Sequence, residues 1–104
     1  MKPYDVDVTL SAQIDLAEIE AFVAQINPKA AETLLARITT SFLTLAILPR
    51  MGRVSPYMPK FRQYAVRGHI VFCTVHPRLR RVRIHRIIDG RRDLPAVLKH
   101  RQNR

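Results

Sequence analysis

Tyr4, Val6, Val8 and Leu10 alternate with Asp5, Asp7 and Thr9 near the start of the chain. This period of two places the four apolar side chains on one face of a half-buried strand over Tyr4–Leu10. The rhythm then changes. In SAQIDLAEIEAFVAQI, residues 11–26, Leu16, Ile19, Val23 and Ile26 recur at helical spacing with Phe22 beside them, while Asp15, Glu18 and Glu20 fall largely on the other side. The pattern predicts an amphipathic helix with one buried stripe, capped at its start by Thr9 or Ser11. Asn27-Pro28 punctuates, because Asn caps a helix and Pro suits its first position. A second helix follows with Ala31, Leu34, Leu35, Ile38, Phe42 and Leu45 on one side, and Pro49 stops it near Leu48. So short a connection predicts an antiparallel helical hairpin.

The second half of the chain reads differently. PRMGRVSPYMPK, residues 49–60, holds three prolines and a glycine and predicts a loop. Phe61–Arg67 reads as a strand, Gly68-His69 as a tight turn, and Ile70–Val75, apolar on both faces, as a central strand. His76–Arg80 forms a turn, and Arg81–Ile88 is another strand. After Gly90, Asp93 caps a short helix containing Leu94, Ala96, Val97 and Leu98, with Pro95 in its first turn. The expected fold is α+β with the order β-α-α-β-β-β-α. Its last three strands form an antiparallel meander, the hairpin covers one face, and the opposite face stays open. Residues 1–104 form one domain, with a core over about 4–98 and a fraying tail, KHRQNR, at 99–104.

Composition narrows this picture. The 104 residues suffice for one domain, and 47% hydrophobic content suits a packed core. With 7% aromatic residues and no Trp, that core must be mainly aliphatic. Cys73 is the only cysteine, so it forms no internal disulfide and no thiolate metal cluster; in IVFCTV it reads as a small buried side chain. This usage, the absence of an apolar signal core in MKPYDVDV, and the absence of a long uninterrupted apolar run give the expectation of a soluble, cytoplasmic protein. Charge is strongly one-sided. Residues 1–48 hold three basic and six acidic residues, a net of −3, whereas residues 49–104 hold fifteen basic and two acidic, a net of +13. So basic a half attracts polyanions: nucleic acid or an acidic protein segment.

The charge concentrates on RVRIHRIIDGRRD, residues 81–93. Strict alternation puts Val82, Ile84, Arg86 and Ile88 on one face of that strand, and Arg81, Arg83, His85 and Ile87 on the other. Arg86 interrupts the apolar set; it snorkels from the core edge, pairs with a carboxylate, or marks a bulge. Arg62 and Arg67 on the preceding strand, Arg53 and Lys60 in the loop, and Arg91 and Arg92 after the last strand extend the basic set. Together with Arg81, Arg83, His85 and Arg86 they are the candidate binding residues, since arginine grips phosphate or carboxylate with paired hydrogen bonds.

Metal-free cleavage of RNA needs a base, an acid and cations for the phosphate. His85, flanked by Arg83 and Arg67, meets part of that need, and His69, at a strand turn, is a candidate to join it. The plain alternative for His85 is a polar residue of an open sheet face. His76, beside Pro77, reads as incidental. No nucleophile elbow, phosphate loop or dinucleotide fingerprint appears. The four histidines lack metal-ligand spacing, and Asp5 and Asp7 read as a solvated edge. No metal and no cofactor are expected.

With these motifs assembled, the chain resembles the ParE/RelE superfamily, the toxins of bacterial type II toxin–antitoxin modules. The resemblance covers roughly residues 4–98. It rests on DLAEIEAFVAQ, LPRMGR, FRQYAVRGHIVFCTV and VRIHRIIDGRRD in that order, and the final GRRD is similar to the ParE-like branch. Many ParE-like sequences carry His where this chain has Asp89. The resemblance implies a growth inhibitor silenced by a cognate antitoxin in a complex that can be oligomeric. ParE-like members are associated with DNA gyrase, and RelE-like members cleave messenger RNA on the ribosome. RelE-like nucleases often place a C-terminal Tyr or His near the scissile phosphate, whereas here no Tyr follows Tyr64 and His100 lies in the tail. The expectation is therefore a ParE-like inhibitor acting on gyrase without catalysis of its own. The alternatives are a ribosome-dependent endoribonuclease using His85, Arg83 and Arg67, or a non-toxic binding module.

Overall fold

The structure, a computed structural model, describes residues 2–102. The elements are β1 (Asp5–Val8), α1 (Leu10–Ile26), α2 (Pro28–Ile47), β2 (Arg53–Val54), β3 (Arg62–Val66), β4 (His69–His76), β5 (Arg81–Asp89) and α3 (Leu94–Gln102). The five strands form one sheet in the order β1-β5-β4-β3-β2. As expected, β3, β4 and β5 form an antiparallel meander. β1 lies parallel to β5, from Asp5 opposite Arg81 to Val8 opposite Ile84. A parallel pair requires a crossover, and the helical hairpin begins it. β2 was not expected, since it falls inside the proline-rich loop. It pairs with β3, and Gly52 makes the approach possible: a Cβ there would stand 2.7 Å from the Gln63 carbonyl oxygen.

Local signals set the helix starts. The Thr9 hydroxyl accepts from the Ala12 amide at 3.3 Å, and the Asn27 side chain accepts from the Ala30 amide at 3.2 Å, with Pro28 opening α2. The main core lies between hairpin and sheet. It joins Leu34, Ile38, Phe42 and Leu45 of α2 to Val71, Cys73, Val82, Ile84 and Ile87. α2 has the length and composition of a membrane-crossing helix, but its apolar stripe is spent on this core. The turn between β3 and β4 centres on Arg67 and Gly68, both at positive φ (51° and 84°), one residue earlier than predicted.

Three expectations are corrected. First, the buried positions of α1 are Ala12 and Asp15, with Leu16, Ile19 and Val23 half-buried, while Phe22 and Ile26 are exposed. Asp15 is drawn inward because β1 ends at Val8 and leaves the edge of β5 unpaired beyond it. Thr9 covers that edge first, donating its amide and hydroxyl to the Ile84 carbonyl at 3.1 and 2.8 Å. Asp15 follows, accepting the Ile87 amide at 2.9 Å.

Second, β5 does not alternate throughout. Phe72 faces Arg86 but Cys73 faces Ile84, so His85 is an extra residue, a β-bulge. Beyond it the faces exchange: Ile87 enters the main core, and Ile88 turns to the opposite face. Third, that opposite face is not open along its length. α3 lays Leu94 and Leu98 over Phe61, Phe72 and Ile88 in a second core, with the Asp93 carboxylate accepting from the Ala96 amide at 3.4 Å. α3 continues to Gln102, into the segment expected to fray, and residues 103–104 lie outside the described residues.

Candidate functional site

Register decides which basic residues meet. Thr74 faces Arg83 and His76 faces Arg81 across β4 and β5, so these four share the face opposite the helical hairpin. Between α3, the start of α1 and the β4–β5 pair lies a cavity of about 440 Å³. Lys60, Thr74, His76, Arg83, His85 and Arg86 line it, together with Ser11, Phe61 and Leu98.

His85 is its centre. The bulge sets its ring against Phe61, with centroids 5.1 Å apart, and Lys60 lies 5.3 Å from the centroid of the same phenyl ring. The Thr74 hydroxyl stands 2.7 Å from Nε2 of His85 and 2.7 Å from Nε2 of His76. A hydroxyl has one proton, so Thr74 donates to one ring and accepts from the other. Burial, then the charges of Arg83, His76 and Lys60, push the His85 imidazole down to about 4, against an opposing pull from Asp7. At neutral pH His85 is therefore uncharged. It is also a weak base, since a catalytic base works best with a pKa near the operating pH.

The arginines divide by role. Arg86 is buried with Asp15: its Nε and Nη2 donate to the two carboxylate oxygens at 2.7 and 3.1 Å, and the side chains are only 6% and 5% exposed. Of the three readings the sequence left open for Arg86, pairing and the bulge both hold. Its Nη1 is buried without a partner. Arg83 pairs with Asp7 of β1 at 3.2 Å, with side chains 38% and 47% exposed. Arg62 faces Cys73 across the sheet, which puts it on the hairpin side. There it donates to the Gly52 carbonyl at 2.6 Å through Nη2 and at 3.1 Å through Nε, stitching the loop after α2 to β3. Arg67 sits in the β3–β4 turn near Val23, Asn27 and Ala30 and does not approach His85. Arg91 chelates Asp89 at the exposed end of β5, and this pairing holds the Asp89 carboxyl well below the usual range. Arg53 and Arg92 are exposed, and Arg81 is half-buried.

Thus the structure gathers Lys60, Arg83, His85 and Arg86, and sends Arg62 and Arg67 elsewhere. Sequence reasoning missed Thr74 and set His76 aside, although their spacing of two already placed them on one face of a strand. Cys73 matches its reading: it is 1% exposed, and burial pushes its thiol up to about 11. Among the described residues no cluster of three or more His, Cys, Asp or Glu side chains could hold a metal ion.

The fold has solved relatives. The chromosomal ParDE toxin–antitoxin system of P. aeruginosa aligns over 83% of this chain and 95% of its own, with a TM-score of 0.69 and 22% identity. The toxin–antitoxin complex RelBE2 of Mycobacterium tuberculosis aligns over 84% of this chain and 98% of its own, with a TM-score of 0.62 and 19% identity. These likenesses define the class, a small α+β domain of the ParE/RelE type. No curated protein matches the chain. The family model for the ParE toxin of the type II toxin–antitoxin system parDE matches residues 6–94, and the chain belongs to that family. It is a type II toxin of the ParE/RelE superfamily.

Proposed function

We propose that this toxin arrests bacterial growth by ParE-like interference with DNA gyrase and replication, acts without catalysis of its own, and is neutralised in the cytoplasm by a cognate acidic antitoxin. The observation that carries the non-catalytic reading is the state of His85. It is half-buried against Phe61, bonded to Thr74, and held uncharged first by burial and then by its cationic neighbours. A histidine with its pKa near 4 is neither a strong base nor a protonated acid at neutral pH. Lys60 and Arg83 then serve to bind an acidic surface rather than to assist proton transfer.

A second reading, a ribosome-dependent messenger RNA endonuclease, draws support from the cavity itself. Two imidazoles joined by one hydroxyl beside Lys60 and Arg83 form a relay that a bound phosphate could retune. Incorporation of labelled thymidine and labelled methionine, minutes after induction of the chain alone in a bacterial host, separates the two. An early fall in thymidine uptake is expected. A prior fall in methionine uptake, abolished by His85→Ala with folding retained, overturns the gyrase reading in favour of the nuclease.

A further inference from the structure

A contact with an acidic protein surface does not call for two half-buried imidazoles joined by one hydroxyl. His76 and His85 reach Thr74 from β4 and β5, each through Nε2 at 2.7 Å, and all three line the cavity of about 440 Å³. Charged groups face this chain from the elements packed around it. Lys60 enters from the loop before β3, and Arg83 from β5 itself. Asp7 of β1 is bonded to Arg83, and Asp15 of α1 is closed off by Arg86. α3 contributes Leu98, which is uncharged and fully buried.

The balance of charge points to a dianion. Asp15 neutralises Arg86 and Asp7 shares Arg83, whereas Lys60 meets no carboxylate among the described residues. A carboxylate, with a single charge, is matched by Lys60 with help from Arg83. A dianion leaves a deficit, which one proton on the imidazole pair fills. The hydrogen-bond chain has a place for that proton. Protonated at both nitrogens, His85 donates its Nε2–H to Thr74, and the Thr74 hydroxyl donates to Nε2 of His76. A second proton would set two imidazoliums around one oxygen, which like-charge repulsion opposes. By themselves, burial and the charges of Arg83, His76 and Lys60 keep His85 unprotonated. An anion between Lys60 and Arg83 cancels their share and stabilises the imidazolium. With α3 on one side and the start of α1 on the other, the cavity suits a group at the end of a ligand better than a strand passing through.

We propose that this cavity binds a terminal phosphate, a phosphate monoester dianion, between Lys60 and Arg83, and takes up one proton on the His85–Thr74–His76 chain as it does so. A mononucleotide and the phosphorylated end of a nucleic acid share this group. The proposal deepens the non-catalytic reading of His85 and rests on it: the proton is held against the anion, and no bond of the ligand is broken.

Titration calorimetry of the full chain tests it, with unfolding midpoints confirming that each variant folds. The probes are sulfate, a dianion with no proton of its own near neutrality, then AMP, and a short oligoribonucleotide with and without a terminal phosphate. Sulfate should bind with proton uptake, read from buffers of different ionisation enthalpy. Its affinity should rise as pH falls from about 7.5 to about 5.5, by at most about tenfold per unit. His85→Gln should flatten that dependence, and Lys60→Gln should weaken sulfate and AMP about tenfold. No binding of sulfate or AMP, binding without proton uptake, a slope kept in His85→Gln, or affinity undiminished in Lys60→Gln overturns the proposal. So does equal binding of the oligoribonucleotide with and without its terminal phosphate. Tighter binding of AMP than of the phosphorylated oligoribonucleotide assigns the site to a free nucleotide, and the reverse order assigns it to a nucleic-acid end. Cleavage of the oligoribonucleotide during the titration ends the non-catalytic reading, while the proton count with sulfate still decides the site.

Discussion

Two arginines of one strand, three residues apart, each meet an aspartate from the first quarter of the chain. Arg86 meets Asp15 in a pair almost wholly removed from water, with three hydrogen bonds converging on the carboxylate. Arg83 meets Asp7 at the surface through one bond of 3.2 Å. Their sequence surroundings are alike and their physical roles are opposite. The buried pair closes the edge that β1 leaves exposed and fixes the bulge that presents His85. Breaking it leaves a charge without water or partner, which is strongly destabilising, whereas a surface pair is screened and contributes little. Arg86 thus belongs to the architecture, and Arg83 is available to a partner.

The sharpest way to break this contrast is Asp15→Ala. It should cost about 3–5 kcal/mol in urea unfolding, because it strands the Arg86 guanidinium and the Ile87 amide together. Asp15→Leu combined with Arg86→Met should recover much of that loss; a double variant no better than the single one would show that the carboxylate matters mainly as the cap of the β5 edge. Next in size is Leu98→Ala, which should cost about 2–4 kcal/mol if α3 is an integral cover of the second face. An unchanged unfolding midpoint would make α3 dispensable.

Arg83→Ala should cost less than about 1 kcal/mol, yet slow association with an acidic partner and flatten its salt dependence, measured by stopped flow at two ionic strengths. A wild-type association rate insensitive to salt would remove the steering role. His85 gives a smaller and pH-confined effect. Its folded pKa of about 4 lies below the ordinary 6.5, so within that window the unfolded chain binds a proton that the folded chain refuses. Stability from this group is complete above about pH 6.5 and declines as pH falls toward 4. Melting temperatures of wild type and His85→Gln should therefore converge, or cross, as pH drops through that interval; parallel curves would contradict the shift. The least effect belongs to Arg91→Ala. The Arg91 side chain is 88% exposed, and its removal should leave the melting temperature at pH 7 unchanged.

Much of the fold was legible because periodicity is a local property. The Asn27-Pro28 break and the apolar stripe of α2 correspond to elements in place, and the alternation at Tyr4–Leu10 holds only as far as Val8: β1 spans Asp5–Val8, and Leu10, expected on its buried face, instead opens α1 and is 71% exposed. Legibility failed where two distant segments negotiate. Asp15 reads as the wet side of a helix until β1 stops short and leaves the Ile87 amide in need of an acceptor. Ile87 and Ile88 exchange faces because one residue is added at His85, and no local signal marks that addition. Phe22 and Ile26 look like core and lie outside it, although Val23 between them packs on the main core; which side of the helix meets the sheet is set by the partner elements and not by the stripe alone. Within the site, Lys60, Arg83 and His85 were found by charge and position. Arg62 was misplaced because its facing was judged without a register. Thr74 and His76 were passed over because neither carries an obvious role alone.

What the sequence by itself determined is the main helices and strands and their order, β2 apart, the one-sided charge and, through the ordered motifs, the ParE/RelE class. These follow from side-chain period, turn chemistry and composition, which need no knowledge of what lies opposite. What only the tertiary structure decided is which arginine is structural, which face receives α3, and that Thr74 joins two imidazoles in one cavity with Lys60 and Arg83. Each of those depends on strand register and on the desolvation of particular atoms, and both are set by contacts between residues far apart in the chain.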